Sequence, residues 1–106
     1  MIKKKRGILF WVTGISGSGK TNISKKIYPE ILKNYGPTVL FSGDDIRKIF
    51  NLNSYSYKDR FDAVMKYCKL SKFITSQNIN VIFAVIGMMH DIRAWNRKNI
   101  KNYLEI

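Results

Sequence analysis

Gly14-Ile15-Ser16-Gly17-Ser18-Gly19-Lys20-Thr21 decides the fold of this chain. It fits G-x-x-x-x-G-K-[ST], a phosphate-binding loop. Ahead of it, Ile8-Leu9-Phe10-Trp11-Val12-Thr13 is a short apolar run of strand character. Behind it, Asn22 to Ile31 mixes Ile with Lys and Ser at helical spacing. The loop therefore joins a buried strand to a helix N-terminus, the context in which the motif carries chemistry. A triphosphate is a dense cluster of negative charge. Successive backbone N–H groups surround it only where side chains stay out of the way, hence Gly14, Gly17 and Gly19, with Ile15, Ser16 and Ser18 lending their backbone. The following helix points its unpaired N–H groups and positive dipole end at the phosphates. Lys20 supplies a mobile cation for the β- and γ-phosphates, and the Thr21 hydroxyl is the expected Mg²⁺ ligand, so the expected cofactors are ATP and Mg²⁺. The competing reading, a Gly/Ser-rich turn with an incidental Lys, does not explain the strand and helix on either side.

Bulk properties narrow the class. At 106 residues the chain has room for one small domain. Hydrophobic content of 45% with two Pro reads as globular. Met1 to Arg6 is a basic arm, followed by a domain over residues 7–106. No signal peptide is visible, because the apolar segment behind the arm is short and runs into the loop. The longest apolar run, Val81 to Met89, is too short for a bilayer, so a cytoplasmic protein without a membrane partner is expected. The single Cys68 leaves no internal disulfide and reads as a small buried residue. The net charge of +12 asks for an anionic partner. A basic nucleic-acid binder would show a stripe with interleaved aromatics. Here the Lys residues scatter over helix surfaces, so no nucleic acid is expected and a small anionic, nucleotide-like substrate explains the arginines better.

Taken in order, strand one is Ile8 to Thr13 and the first helix runs from about Gly19 to Tyr35. Pro29 should break or bend that helix near Tyr28, and Gly36-Pro37 ends it. Thr38 to Ser42 is the second strand. Gly43-Asp44-Asp45 opens a short helical stretch, Ile46 to Phe50, and its carboxylates face the crevice at the strand's C-terminal edge. Asn51 to Tyr57 is a polar, aromatic loop. Lys58 to Asn78 is an amphipathic helix with Phe61, Val64, Met65, Cys68 and Lys72 along one side, widened by Leu70, Phe73 and Ile74. Val81 to Ile86 is a continuous β-branched and aromatic run, hence a central strand buried on both faces, and Gly87 ends it. Asp91 to Tyr103 is a last helix, and Tyr103 to Ile106 begins another strand. The order predicts an α/β fold, a P-loop three-layer α/β/α arrangement on a parallel sheet. It supplies three strands and the start of a fourth, where about five are usual.

Three motifs in the same order and spacing make the chain similar to the adenylylsulfate kinase family. The first is the loop with its strand. The second is Ser42-Gly43-Asp44-Asp45-Ile46-Arg47, against the family's Asp-Gly-Asp-Asn-x-Arg. The third is Tyr55-Ser56-Tyr57-Lys58-Asp59-Arg60-Phe61-Asp62-Ala63, against Phe-Ser-x-x-Asp-Arg-x-x-Asn. The resemblance covers Arg6 to Ile106. It departs at Ser42, Asp45 and Ala63, and at Gly87-Met88, where the family has Ser-Pro after the third strand. It implies transfer of the ATP γ-phosphoryl to the 3′-hydroxyl of adenylylsulfate, as in sulfate assimilation. It further implies Lys20 and Asp44 as catalytic residues, with Asp44 taking the hydroxyl proton or helping to hold Mg²⁺. Asp44, Arg47, Tyr55, Arg60 and Ile86 would bind the acceptor, the arginines as bidentate clamps that Lys cannot reproduce. The alternative for Asp44 is a helix N-cap before Ile46. The family's lid and C-terminal strands would lie beyond Ile106, leaving the domain incomplete. Family members often form homodimers, which an exposed sheet edge would encourage. Two other functions fit the same residues. One is a related kinase for a different acceptor, such as cytidine diphosphoramidate in capsule modification, which Met89-His90-Asp91 through Trp95-Asn96-Arg97 resembles more. The other is an inactive ATP-binding fragment.

Overall fold

Asn80-Val81-Ile82-Phe83-Ala84-Val85-Ile86 forms the strand on which the others are laid. In the computed structural model the described residues are 7–14, 20–52, 56–86 and 90–106, with the backbone alone at Gly14, Lys20, Thr21, Asn22, Asp44 and Ile86. The elements are β1 (Leu9–Gly14), α1 (Lys20–Tyr35), β2 (Thr38–Ser42), α2 (Gly43–Ile49), α3 (Tyr57–Ser76), β3 (Asn80–Ile86), α4 (His90–Asn99) and β4 (Tyr103–Glu105). All strand pairings are parallel, in the order β2-β3-β1-β4. Parallel strands need crossovers, and each helix between strands supplies one.

Both faces of β3 are covered, as its unbroken apolar run predicts: residues 81 to 85 are all buried. Leu9, Trp11, Val81, Phe83 and Val85 point to the side packed by Ile46, Ala63, Tyr67, Cys68 and Ile92 of α2, α3 and α4. Phe10, Val12, Ile82 and Ala84 point to the other side, packed by Ile31 of α1. Phe83 centres the first core. Tyr67 stacks on it at 5.2 Å, and Phe41 and Trp11 tilt against it at 5.4 and 5.6 Å.

At the bottom of the sheet Asn80, buried, acts as a polar staple. Its Oδ1 accepts the Ile8 N–H at 2.9 Å, and its Nδ2 donates to the Tyr35 carbonyl at 3.1 Å. One side chain thus ties β3 to the chain leading into β1 and to the end of α1. Gly7 lies beside it. Its N–H donates to the Thr75 carbonyl at 2.9 Å, and a Cβ there would run into the Ile79 backbone.

Helix ends follow local chemistry. Ser42 caps α2 and Ser56 caps α3, each accepting from the N–H three residues on, Asp45 and Asp59. Gly36, Asn51 and Asn78, with φ of 94°, 55° and 65°, supply the left-handed residue just past α1, α2 and α3. After α2 the closure is complete: Asn51 N–H donates to the Lys48 carbonyl at 3.3 Å and Leu52 N–H to the Arg47 carbonyl at 2.8 Å.

Four expectations need correction. First, α1 is continuous through Pro29. Lys25 and Pro29 are both exposed, so the carbonyl that loses its donor is left to water. Second, α2 begins at Gly43 and Ser42 is its cap, so Asp44 is not the N-cap and falls inside the first turn. Third, α3 keeps much of the expected stripe, with Phe61, Val64, Met65, Cys68 and Ile74 at the core, but Lys72 and Phe73 fall outside it. Its buried residues are Ala63, Tyr67, Cys68, Ser71 and Thr75, while Lys72 is exposed and Phe73 is 63% exposed. Ser71 and Thr75 can be buried because each hydroxyl donates to its own helix, to the Tyr67 and Ser71 carbonyls at 2.8 and 2.9 Å. Small residues there let α3 approach the sheet. Fourth, α4 stops at Asn99, and Tyr103 belongs to β4.

Gly7→Ala should lower stability by more than about 2 kcal/mol, because backbone rather than a flexible side chain blocks the new methyl. Phe73→Ser should stay within about 0.5 kcal/mol of wild type. Urea unfolding midpoints read both; a large loss at Phe73 would restore the original phase of α3.

Candidate functional site at the C-terminal edge of the sheet

The register fixes where ligand chemistry can sit. Gly14 pairs with Ile86, and Ser42 with Ala84, so the tips of β1, β2 and β3 end together. Open parallel sheets bind ligands at this edge. From Gly14 the chain passes through residues 15–19 to Lys20, the first residue of α1. The 16-residue α1 has no acidic residue in its first turn, so its positive dipole end is not neutralised by its own side chains. A phosphate group fits such an end. Ile15, Ser16, Gly17, Ser18, Gly19 and Tyr55 lie outside the described residues. So do the side chains of Lys20, Thr21, Asp44 and Ile86, whose backbone stands at this edge.

The second wall rises from β2. Ser42 ends the strand and caps α2, which puts the Asp44 backbone in the first turn over the sheet edge. Arg47, half-buried, is one turn further on. The closure by Asn51 and Leu52 then turns the chain back, and Leu52 packs into the core that holds Phe61 of α3. Arg60, also half-buried, lies in the first turn of α3. Arg47 and Arg60 are thus carried by the two helices that follow the tip of β2. Ser42 and Ser56 position these helices; Ser42 departs from the family pattern and Ser56 keeps it, and Ser-x-x-Asp at both places is a legible capping signal.

The third wall is the head of α4. His90 is exposed at its first position, and Arg93 Nη2 lies 2.6 Å from His90 Nδ1. Guanidinium only donates, so His90 Nδ1 is the acceptor. Further along α4, Arg97 Nη2 meets both Glu105 oxygens at 3.0 and 3.1 Å, and Tyr103 Oη donates to Glu105 at 2.9 Å. Burial pushes the Glu105 carboxyl up, but hydrogen bonds from Arg97 and Tyr103 and the nearby guanidinium charge leave it below its ordinary value. Arg97 is largely exposed, so the pair contributes at most about 1 kcal/mol.

Cys68 is remote from this chemistry. It is fully buried, and burial pushes its thiol up to about 12, offset in part by the Asn96 amide beside it. Asn96 is itself buried, and neither of its amide atoms finds a partner at hydrogen-bonding geometry. Among the described residues no cluster of His, Cys, Asp or Glu could hold a metal ion, and no helix is long and apolar enough to cross a membrane.

Cys68 should resist alkylation near pH 8 in the native state and react on unfolding. Its folded pKa is raised above the ordinary thiol value of about 8.5, so the stabilisation it brings is full below that value. It is lost as pH rises toward 12, because the unfolded thiol ionises first. Cys68→Ala should flatten the alkaline fall in stability; an unchanged profile would assign that fall elsewhere. Ser42→Ala should cost about 1 kcal/mol through the lost cap, read from the same unfolding curves.

Comparison with known proteins bears on the family and the fold. The family model for adenylylsulphate kinase matches residues 6–106. A cytidine diphosphoramidate kinase of Campylobacter jejuni is 36% identical over 97% of this chain and 61% of its own length. An adenylyl-sulfate kinase of Bacteroides fragilis is 36% identical over 85% of this chain and 45% of its own length. Among solved structures, the APS kinase CysC of Mycobacterium tuberculosis in complex with AMPPNP and APS superposes with a TM-score of 0.80. It is 25% identical, over 94% of this chain and 61% of that one. The chain thus spans about half to three fifths of the length of these curated relatives. The family model covers nearly the whole sequence, and the chain belongs to the adenylylsulfate kinase family.

Proposed function

We propose that this chain carries the phosphate-binding and acceptor-facing part of an ATP-dependent kinase. The kinase moves the γ-phosphoryl of ATP to a hydroxyl of a small, nucleotide-like anionic acceptor. The observation that carries the reading is the junction of β1 and α1: the sequence Gly14 to Thr21 spans from a strand tip to an uncompensated helix N-terminus. Lys20 would meet the β- and γ-phosphates. Mg²⁺ takes few protein ligands and fills its sphere with phosphate oxygens and water, so Thr21 suffices as its hold on the chain. When bound, Mg²⁺ neutralises charge on the transferring group. Asp44, in the first turn of α2, would accept the proton of the attacking hydroxyl. Arg47 and Arg60 would grip the acceptor's anionic group in fork geometry, and Tyr55 and Ile86 would line it. Phosphoryl transfer asks mainly for positioning and charge neutralisation, which this set can provide.

Adenylylsulfate is the acceptor that the family supports as a whole. Cytidine diphosphoramidate is supported by the Campylobacter relative, whose match covers nearly the whole chain. The substitutions at Ala63 and Gly87-Met88 fall on the acceptor side of the motifs and favour an acceptor that differs from adenylylsulfate. A chain that binds ATP without turnover remains the third reading.

Mg·ATP should raise the melting midpoint of the chain, by an amount equivalent to about 2.7 kcal/mol at a hundredfold excess over Kd. Lys20→Ala should abolish the shift. Turnover of the cytidine compound without turnover of adenylylsulfate would select that acceptor, and the reverse result would select adenylylsulfate. A midpoint that ignores Mg·ATP would reject the kinase reading.

A further inference from the structure

The outer surface of the layer formed by α3 and α4 is divided by charge. Toward the ligand edge it carries exposed carboxylates, Asp59 and Asp62 at the start of α3 and Asp91 at the start of α4. Toward the bottom of the sheet the sign changes. From the middle of α3 to its end the charged residues are Lys66, Lys69 and Lys72, all exposed. At the end of α4 they are Arg97 and Lys98, with Lys101 just beyond. Arg97 is neutralised by Glu105, and none of these lysines is ion-paired among the described residues. Two backbone bonds hold the ends of both helices at the bottom of the sheet. Gly7 N–H donates to the Thr75 carbonyl in the last turn of α3, and Leu9 N–H to the Asn102 carbonyl after α4, each at 2.9 Å. The sequence directly ahead of Gly7 is Lys3-Lys4-Lys5-Arg6, so further cations are tethered at the same place.

Lysine in a last helical turn complements the helix dipole. That accounts for Lys98, but α3 has no basic residue in its last turn. Lys66, Lys69 and Lys72 stand instead at successive i, i+3 positions, where like charges repel and work against the helix that carries them. Phe73 lies among them, 63% exposed, next to Lys72 and at i+4 from Lys69. An anionic surface relieves the repulsion, and an apolar boundary gives the ring a reason to be there. A nucleic acid would call for arginine forks on phosphates and several rings for bases. Here the ammonium groups are point charges spread round one ring, which suits the headgroup potential of an anionic bilayer. We infer that the lower half of the α3–α4 layer, with the basic arm, docks on an anionic membrane surface, Phe73 entering the boundary between headgroups and acyl chains. The chain then lies on the bilayer without spanning it. The expectation of no membrane partner rests on the lack of a spanning segment, which surface contact does not require. The ligand edge lies at the other end of α3, so this surface is independent of the kinase reading.

The test is co-sedimentation of the whole chain with vesicles of phosphatidylcholine alone and of phosphatidylcholine with phosphatidylserine. Binding should require phosphatidylserine and fall as salt rises. Lys66→Gln, Lys69→Gln and Lys72→Gln should each weaken it about fivefold. Their melting midpoints should match wild type, because the side chains are exposed. Phe73→Ser should weaken binding about tenfold through the lost apolar contact, and Phe73→Trp should keep it, with an emission that shifts to the blue on the anionic vesicles. Equal binding to both kinds of vesicle, or to neither, would overturn the surface. So would anionic-vesicle binding that the three Lys→Gln changes together leave intact. Retention on duplex DNA without binding to vesicles would overturn it as well, and assign the lysines to a nucleic acid. Loss of the Mg·ATP response in the wild type would reject the kinase reading and leave the membrane surface standing.

Discussion

Everything at the ligand edge depends on the parallel pairing of β1 with β3. Leu9 opposite Val81 and Gly14 opposite Ile86 set one register. A slip of β1 by one residue against β3 would turn Leu9 and Trp11 from the α3 side to the α1 side and put Phe10 and Val12 in their place. The same pairing fixes where β1 stops, and hence where the phosphate loop leaves the sheet. Asn80 enforces it from the opposite end by taking the Ile8 N–H. The constraint is thus applied at the bottom of the sheet and used at the top.

From that register the division of labour between the two faces follows. Among the described residues the α1 side is simple: one helix and a small core. The other side carries three helices, and its core is built round Phe83. Helices α2 and α3 leave this core at the ligand edge with an arginine each. Leu52 and Phe61, packed against this core, anchor the ends of the two helices that carry Arg47 and Arg60.

Much of this is legible in the amino-acid sequence, for identifiable reasons. The loop is legible because glycines at fixed spacing have no other common use. The central strand is legible because a run such as Val81 to Val85 can be buried only on two faces. The stripe of α3 is legible only in part, because Ser71 and Thr75 look like surface residues and their back-bonding to the helix becomes apparent only in three dimensions. The end of α4 is misread because Ile100 and Tyr103 continue an apolar rhythm that the chain in fact uses to leave the helix and enter β4. The cap of α2 is legible in Ser42-x-x-Asp45, where the family motif has a carboxylate and this chain has a hydroxyl that accepts the Asp45 N–H.

The position of β4 has a kinetic meaning. Leu9 pairs with Tyr103 and Trp11 with Glu105, so neighbours in the sheet are separated by nearly the whole sequence. Closing so long a loop costs entropy before any contact is made, and topologies of this kind fold slowly. During synthesis the phosphate-loop strand has its partner β3 long before it has β4. Until Tyr103 to Glu105 emerge, one side of β1 presents open backbone groups beside Trp11. That interval, more than the stability of the finished fold, is when the chain is most exposed to wrong pairing and most in need of chaperone cover.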